Sequence, residues 1–297
     1  MEKDKTTRNS ERKPEYRYEV LVRPGRTLSD AALASLTGEV RRVAATCFDP
    51  IPDYQVMVGT REAFEDKVLA LAWNEDGSLA GFCSALLLDV PEVGEVLHLG
   101  LTCVCPAERG SGLTHKLTSR GLTTYLLHRG LFRRIWVTNC AAVLSSLGNV
   151  ALHFENVYPS PFATAAPTAT HRAIARAVDE RYRKEIYIAP AARFDVAHFV
   201  FRGSVADTVF QKDAGDRRYH HRMSDLNLFY TALMDFRTGD EVLQVGQASV
   251  WGALRHSLRK LLGAGSKGRS GPACKPMLPV PGNGAANGLS ATRATAS

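Results

Sequence analysis

A chain of 297 residues with 45% hydrophobic and 23% charged residues has the composition of a globular protein with a substantial buried core. It holds no run of the roughly 18 to 20 uncharged apolar residues that a membrane span needs, and its charged N-terminus lacks the apolar segment of a secretory signal, so a cytoplasmic protein is expected. The formal net charge of +7 belongs to the tail, because Arg255, Arg259, Lys260, Lys267, Arg269, Lys275 and Arg293 follow Glu241 and no acidic residue does; residues 1–241 are net neutral, and no nucleic-acid partner is expected.

Six cysteines (Cys47, Cys83, Cys103, Cys105, Cys140, Cys274) fall singly apart from one Cys-x-Cys. No pair has metal-ligand spacing, and most sit in apolar runs where a reduced cysteine behaves as a small hydrophobe. Neither a structural metal nor a disulfide framework is expected.

Residues 1–15 are polar and read as a disordered tail. Arg17 to Val22 alternates as a strand and ends at Pro24-Gly25. Ser29-Asp30 enters a helix over Ala31 to Phe48, with Leu33, Leu36, Val40, Val43 and Cys47 at helical spacing. After a Pro-containing loop and a short helix near Arg61 to Phe64, Lys67–Trp73 and Leu79–Val90 form a hairpin about Asn74-Glu75-Asp76-Gly77. Glu95 to Val104 is a further strand broken at Gly100, followed by a helix over Gly112 to Arg129 and a buried strand over Arg133 to Thr138. Ala141 to Phe154 holds a short helix, with irregular chain to Pro161. Thr168 or Thr170 caps a helix to about Arg183, and Arg193 to Arg202 alternates as one strand. A polar loop over Lys212 to Arg222 precedes an amphipathic helix with Leu226, Phe229, Tyr230, Leu233 and Met234, and Glu241 to Val250 is the last strand.

The chemistry is concentrated in Thr102-Cys103-Val104-Cys105-Pro106-Ala107-Glu108-Arg109-Gly110-Ser111-Gly112-Leu113-Thr114. A strand ends at a proline that cannot donate to a ladder. The glycines allow a turn that presents successive N–H groups, and the helix beginning near Gly112 points its positive dipole end at the same place. Such a terminus suits a diphosphate, with Arg109 adding a positive charge.

This stretch resembles the signature of the GNAT superfamily of acyl-CoA-dependent acyltransferases, with Val104, Pro106, Arg109, Gly110, Gly112 and Leu113 in register. Thr114 departs, standing where glycine or alanine is usual. The resemblance covers roughly Tyr16 to Tyr158 and implies an α/β fold: a mixed, mostly antiparallel central sheet flanked by helices, with a splayed strand pair at the coenzyme A site. On this reading residues 16–250 are one domain carrying insertions at about 160–193 and 203–240. Acetyl-CoA or another acyl-CoA is the implied co-substrate, held by Thr102, Cys103, Val104, Arg109, Gly110, Ser111, Gly112, Leu113, Thr114 and Asn139.

The implied reaction is direct attack of an amine on the thioester, assisted by a base and an acid. The base in such enzymes usually comes from the fourth strand, where His98 shares a face with Gly100 and Thr102; Glu95 is the weaker candidate. The usual acid is a tyrosine about seven residues beyond the asparagine that follows the fifth strand. Serine stands there, so Ser146 and the more distant Tyr158 are the candidates. Cys103 and Cys105 are read as packing residues, and Tyr219-His220-His221-Arg222 as a solvated loop unless it meets an acceptor. Any departure of the acceptor pocket from the family's is expected in the small, polar stretch Asn139 to Pro161. The missing tyrosine leaves a second reading, a non-catalytic module that binds acyl-CoA or a partner.

Residues 251–262 read as a basic amphipathic helix: over Ser249 to Leu262, Trp251, Leu254, Leu258 and Leu261 share a face with Arg255, Arg259 and Lys260 nearby. The pattern fits contact with an anionic membrane or a protein, packing on its own domain being the simpler alternative. Residues 263–297 read as a disordered basic tail.

Overall fold

The apolar alternation of the strands is satisfied in one nine-stranded sheet. It is seen in a computed structural model that describes residues 15–130 and 132–252. The tail over residues 1–14, most of the basic helix and all of the tail over 263–297 lie outside the described residues. In chain order the elements are β1 (Arg17–Val22), α1 (Pro24–Thr27), α2 (Asp30–Ala45), α3 (Glu62–Glu65), β2 (Lys67–Trp73), β3 (Leu79–Val90), β4 (Gly94–Val104), α4 (Leu113–Arg129), β5 (Arg134–Ala141), α5 (Leu144–His153), β6 (Glu155–Tyr158), α6 (Ala169–Arg181), β7 (Arg193–Asp195), β8 (Val200–Arg202), α7 (Ser224–Leu233) and β9 (Glu241–Ser249). The sheet runs β1-β2-β3-β4-β5-β9-β8-β7, with β6 also on β9. Every pairing is antiparallel except β4 with β5. This is the mixed, mostly antiparallel α/β architecture expected from the sequence.

Helices cover both faces. The apolar stripe of α2 (Leu33, Leu36, Val40, Val43) packs with Leu69, Leu71 and Phe82 on one face, and Ile174 and Val178 of α6 continue that layer over Leu86, Leu88, Leu243 and Val245. On the other face, Leu113, Leu117 and Tyr125 of α4 meet Ala70, Ala72, Val68 and Leu97. There α5 and α7 close over Ala141 and Val242 through Leu144, Leu147, Leu226 and Tyr230. Burial of these side chains is the main stabilising term, at roughly 1.5 to 3 kcal/mol each.

Two local departures from the sequence reading have identifiable causes. Arg193 to Arg202 is a hairpin, β7 and β8, instead of one strand. The Asp195 carboxylate accepts from the amides of Ala197 and His198, and Phe199 adopts φ 55°, so a side chain makes a turn that no glycine announces. The chain after α5, read as irregular, contributes β6, which pairs with β9 through Glu155 and Tyr158.

Candidate functional site

The site begins with an interruption of β4. Cys83 pairs with Thr102 but Ala85 pairs with Leu99, so Gly100 and Leu101 together face Ser84 in a β-bulge. Gly100 is required for contact: a Cβ there would collide with the Gln55 side-chain amide and the Ser84 carbonyl. The bulge turns β4 away from β5. Their parallel pairing runs from Val96 with Trp136 to Leu99 with Asn139 and then stops, while β5 continues on β9 through Cys140 and Ala141. From Gly100 to Val104, one edge of β4 therefore offers its N–H and C=O groups to a widening slot.

The loop after β4 opens beside this slot. Gly110 and Gly112 adopt φ 84° and 77°, conformations that favour glycine, and a Cβ at either would meet nothing within 4 Å. Among the described residues, the backbone N–H groups of Gly110, Gly112, Leu113 and Thr114 make no bond to protein acceptors outside the helix's own ladder. They surround the positive end of the 17-residue α4. A diphosphate fits this donor set. Arg109, exposed at the loop, sends Nη2 to the Thr46 carbonyl at 3.2 Å, which ties the loop to the end of α2.

A cavity of about 790 Å³ passes through the slot and is lined from both faces of the sheet. On the α4 and α5 side its walls include Gly112, Thr114, Thr118, Asn139 and Ser146; on the α2 and α6 side they include Tyr54, Cys140, Tyr187, Phe210, Lys212 and Glu241. Asn139 is held by a polar chain: its Nδ2 donates to Gln244 Oε1 at 3.0 Å, and Gln244 Nε2 donates to the Tyr230 hydroxyl at 2.6 Å and the Leu147 carbonyl at 3.1 Å. The Ser146 hydroxyl donates to Asn139 Oδ1 at 3.4 Å. Thus Thr102, Gly112, Thr114, Asn139 and Ser146, separated in sequence, meet on one cavity.

Other sequence candidates lie elsewhere. His98 is 1% exposed and sits where β4 and β5 are still paired, opposite Thr138. Its Nδ1 is 2.9 Å from the Thr138 hydroxyl, it is not part of the cavity wall, and burial together with the field of Lys67 pulls its pKa down to about 3. Tyr158 is also off the cavity wall; its hydroxyl donates to the Ala197 carbonyl at 2.8 Å, and burial raises its pKa. Glu95 binds Arg23, the Tyr125 hydroxyl and Arg129; burial acts to raise its pKa, but the hydrogen bond from Tyr125 and the pairing with Arg23 hold it below the ordinary value. It is a clamp between β4, α4 and the turn after β1. Cys103, Val104, Arg109, Gly110, Ser111 and Leu113 flank the cavity in sequence without lining it. In the late loop, His221 packs on Gly148 and is bracketed by Asn227, which bonds its backbone N–H and C=O.

Among the ionisable wall residues that the sequence reading does not single out, Glu241 is the most perturbed carboxylate. Glu241 opens β9, is 8% exposed, and has both recorded hydrogen bonds on Oε2, from the Ser204 hydroxyl at 2.6 Å and the Cys140 thiol at 3.8 Å. Oε1 is left toward the cavity. Burial pushes its pKa up to about 7, against the opposing effects of Ser204, Cys140 and Lys212. Ser204 is brought to it by a clamp, in which Arg202 Nη1 donates to Asp240 Oδ2 at 2.8 Å and the Gly203 amide donates to Asp240 Oδ1 at 3.0 Å. In sequence, the only trace is a carboxylate at the first position of an otherwise mostly apolar strand.

Residues 39–153 match the family model described as Acetyltransferase (GNAT) family, so this part of the chain carries a GNAT acetyltransferase domain. The match supports acyl-CoA-dependent acyltransferase activity in general. Among solved structures, the chain is similar to an acyl-CoA N-acyltransferase from Pseudomonas aeruginosa, with 21% identity, 47% of this chain and 86% of that one covered, and a TM-score of 0.35. It is also similar to ElaA from Escherichia coli (22% identity, 49% and 93% covered, TM-score 0.32). A third is a GNAT family acetyltransferase from Brucella melitensis in complex with acetyl-CoA (20% identity, 42% and 76% covered, TM-score 0.30). No curated protein sequence matches it. Among the described residues, no helix is long and apolar enough to cross a membrane.

Proposed function

We propose that this protein transfers an acetyl or longer acyl group from acyl-CoA to an amine acceptor, a small metabolite or peptide, by direct attack on the thioester. The observation that carries this reading is the cavity through the β4–β5 slot, which joins the start of α4 on one face to Glu241 on the other. The α4 turn would take the diphosphate on the N–H groups of Gly110, Gly112, Leu113 and Thr114. The unpaired edge of β4 from Gly100 to Val104 would take the pantetheine amides, as an added strand is taken at any open sheet edge. The thioester then lies between Ser146, held by Asn139, and the face that carries Glu241. Direct attack relies chiefly on bringing the two reactants together in the slot. An acidic tyrosine at the Ser146 position is therefore not a requirement for turnover.

Calorimetric titration with acetyl-CoA and octanoyl-CoA tests the donor site. Gly112→Val places a β-branched side chain at φ 77° and in the open space of the turn, and it is expected to weaken binding of both at least tenfold. Unchanged affinity in a variant that retains its fold by circular dichroism would refute the site. A thiol-release assay across pooled amines then separates an enzyme from a binding module, because a module binds donor without acceptor-dependent release.

A further inference from the structure

The far end of the cavity carries two ionisable groups of opposite sign that feel each other's charge without forming a contact ion pair. Glu241 and Lys212 both line it, and no ion pair within 4.0 Å joins them. Lys212 donates to the Val209 carbonyl at 2.8 Å, and its ammonium lies 5.2 Å from the centre of the Tyr219 ring. Two of its three donors remain for another acceptor. The same end has an aromatic wall. Tyr54, Tyr187 and Phe210 pack mutually edge-on, with ring centres 4.9 to 5.7 Å apart, and Ile186 and Val205 extend the surface. Tyr187 comes from the segment before β7, and Phe210 and Lys212 from the segment after β8. The pieces that enlarge the chain beyond its matched region therefore build this end of the cavity.

We propose that this end is an acceptor subsite for a small molecule bearing both an amine and a carboxylate on an apolar or aromatic body, in the simplest case an α-amino acid. Lys212 holds the carboxylate, the Tyr54–Tyr187–Phe210 wall takes the body, and Glu241 receives a proton from the amine. The inference rests on the acyltransferase reading above. A lone amine would answer Glu241 and leave Lys212, which has only the fields of Asp216 and Glu241, without an anion in contact; a lone carboxylate would answer Lys212 alone. A molecule carrying both answers both charges at once.

The chemistry balances without a further reactant. The acceptor enters as an ammonium and yields one proton to Glu241 Oε1, which frees the nitrogen lone pair. That nitrogen bonds to the thioester carbonyl carbon, the C–S bond breaks, and the sulfur leaves with its electron pair. The nitrogen's second proton ends on the sulfur as the thiol of coenzyme A, and the proton on Glu241 passes to water. The groups facing Glu241 from the surrounding elements are Cys140 on β5, Ser204 after β8, Tyr54 before β2 and Lys212. Burial raises the pKa of both Cys140 and Tyr54, so neither competes for that proton at neutral pH.

The test uses the full chain with acetyl-CoA and octanoyl-CoA as donors and three acceptors of one shape: phenylalanine, phenethylamine and phenylalanine methyl ester. Phenylalanine is expected to exceed the two uncharged-end analogues in kcat/KM by about tenfold or more, the effect of one charge-assisted contact. Lys212→Met should collapse that ratio to near one through KM. Glu241→Gln should lower kcat about a hundredfold and remove the rise in kcat/KM through pH 7, with donor binding retained. Equal use of phenethylamine and phenylalanine would overturn the subsite, as would a ratio indifferent to Lys212→Met or a pH profile indifferent to Glu241→Gln. Donor binding with no acylation of any of the three overturns it as well and leaves the donor site standing. Failure to bind either donor removes the acyltransferase reading itself.

Discussion

Replacing Glu241 by glutamine separates the energetics of this buried carboxyl from any role in turnover. In the folded chain its pKa is pushed up from an ordinary 4.5 to about 7. Between those values the folded state holds a proton that the unfolded state has released, so stability falls as pH rises. The favourable contribution is present below pH 4.5 and is lost as pH passes 7. The whole shift corresponds to about 3 kcal/mol, most of which falls between pH 5 and pH 8. Glutamine is nearly isosteric, keeps an oxygen for the Ser204 hydroxyl, and does not titrate. The variant should therefore gain about 2 to 3 kcal/mol on the wild type between pH 5 and pH 8, about 5 to 10 °C in Tm for a chain of this size. Urea unfolding of both proteins at the two pH values measures the difference directly, since every other titrating group is common to both. Parallel pH dependence of the two proteins, within about 0.5 kcal/mol, would show that Glu241 is an ordinary solvated carboxylate and refute the reasoning.

Two further outcomes follow from contacts around the slot. Gly100→Ala must displace Gln55 or the Ser84 carbonyl, so a loss of about 1 to 3 kcal/mol in unfolding free energy is expected, together with weaker acyl-CoA binding; a neutral effect on both would mean the bulge has room. Cys47 has its pKa brought down to about 5, first by the Cys103 thiol and with help from Thr46 and Arg109 against the effect of burial. Iodoacetamide should therefore label Cys47 ahead of Cys83, Cys103 and Cys140, whose pKa values are raised. Its rate should stay nearly flat from pH 6 to pH 9, and peptide mapping that showed a steep rise with pH would contradict a thiolate there.

The part of the fold visible in the sequence is the part written in local signals. From β1 to α4 each element carries its own period and its own stop: Pro24-Gly25, the Ser29 cap, the Asn74 to Gly77 turn, the Pro106 break. Gly100 and the Arg109-Gly110-Ser111-Gly112 turn could be read because glycine at those places has a backbone reason. The hairpin of β7 and β8 is hidden because its turn is made by the Asp195 carboxylate and a phenylalanine at φ 55°, with no glycine or proline to interrupt the alternating pattern. His98 attracted attention as a histidine on an apolar strand, yet its register with Thr138 places it in the closed part of the sheet, below the slot. Glu241 was overlooked for the converse reason. Nothing within its own strand distinguishes it, and its properties come from Cys140, Ser204 and Lys212, up to 101 positions away in sequence. A departure of the acceptor pocket from the family's is expected within Asn139 to Pro161; those residues chiefly line the α5 side, whereas Tyr187, Phe210, Lys212 and Glu241 of the wall opposite come from later chain.

The short parallel pairing of β4 with β5 has a mechanical consequence. The sheet is two leaves, β1 to β4 and β5 to β9, whose backbone pairing is confined to the stretch from Val96 to Leu99 and Trp136 to Asn139, with α6 packed across both leaves. Above that seam the backbone rungs are missing, and any extended amide-bearing molecule seated in the slot supplies them. Such a guest acts as a removable strand: it ties the leaves together while present and relaxes the seam on leaving. A guest that binds the folded chain and not the unfolded one adds its binding free energy to the stability of the folded state.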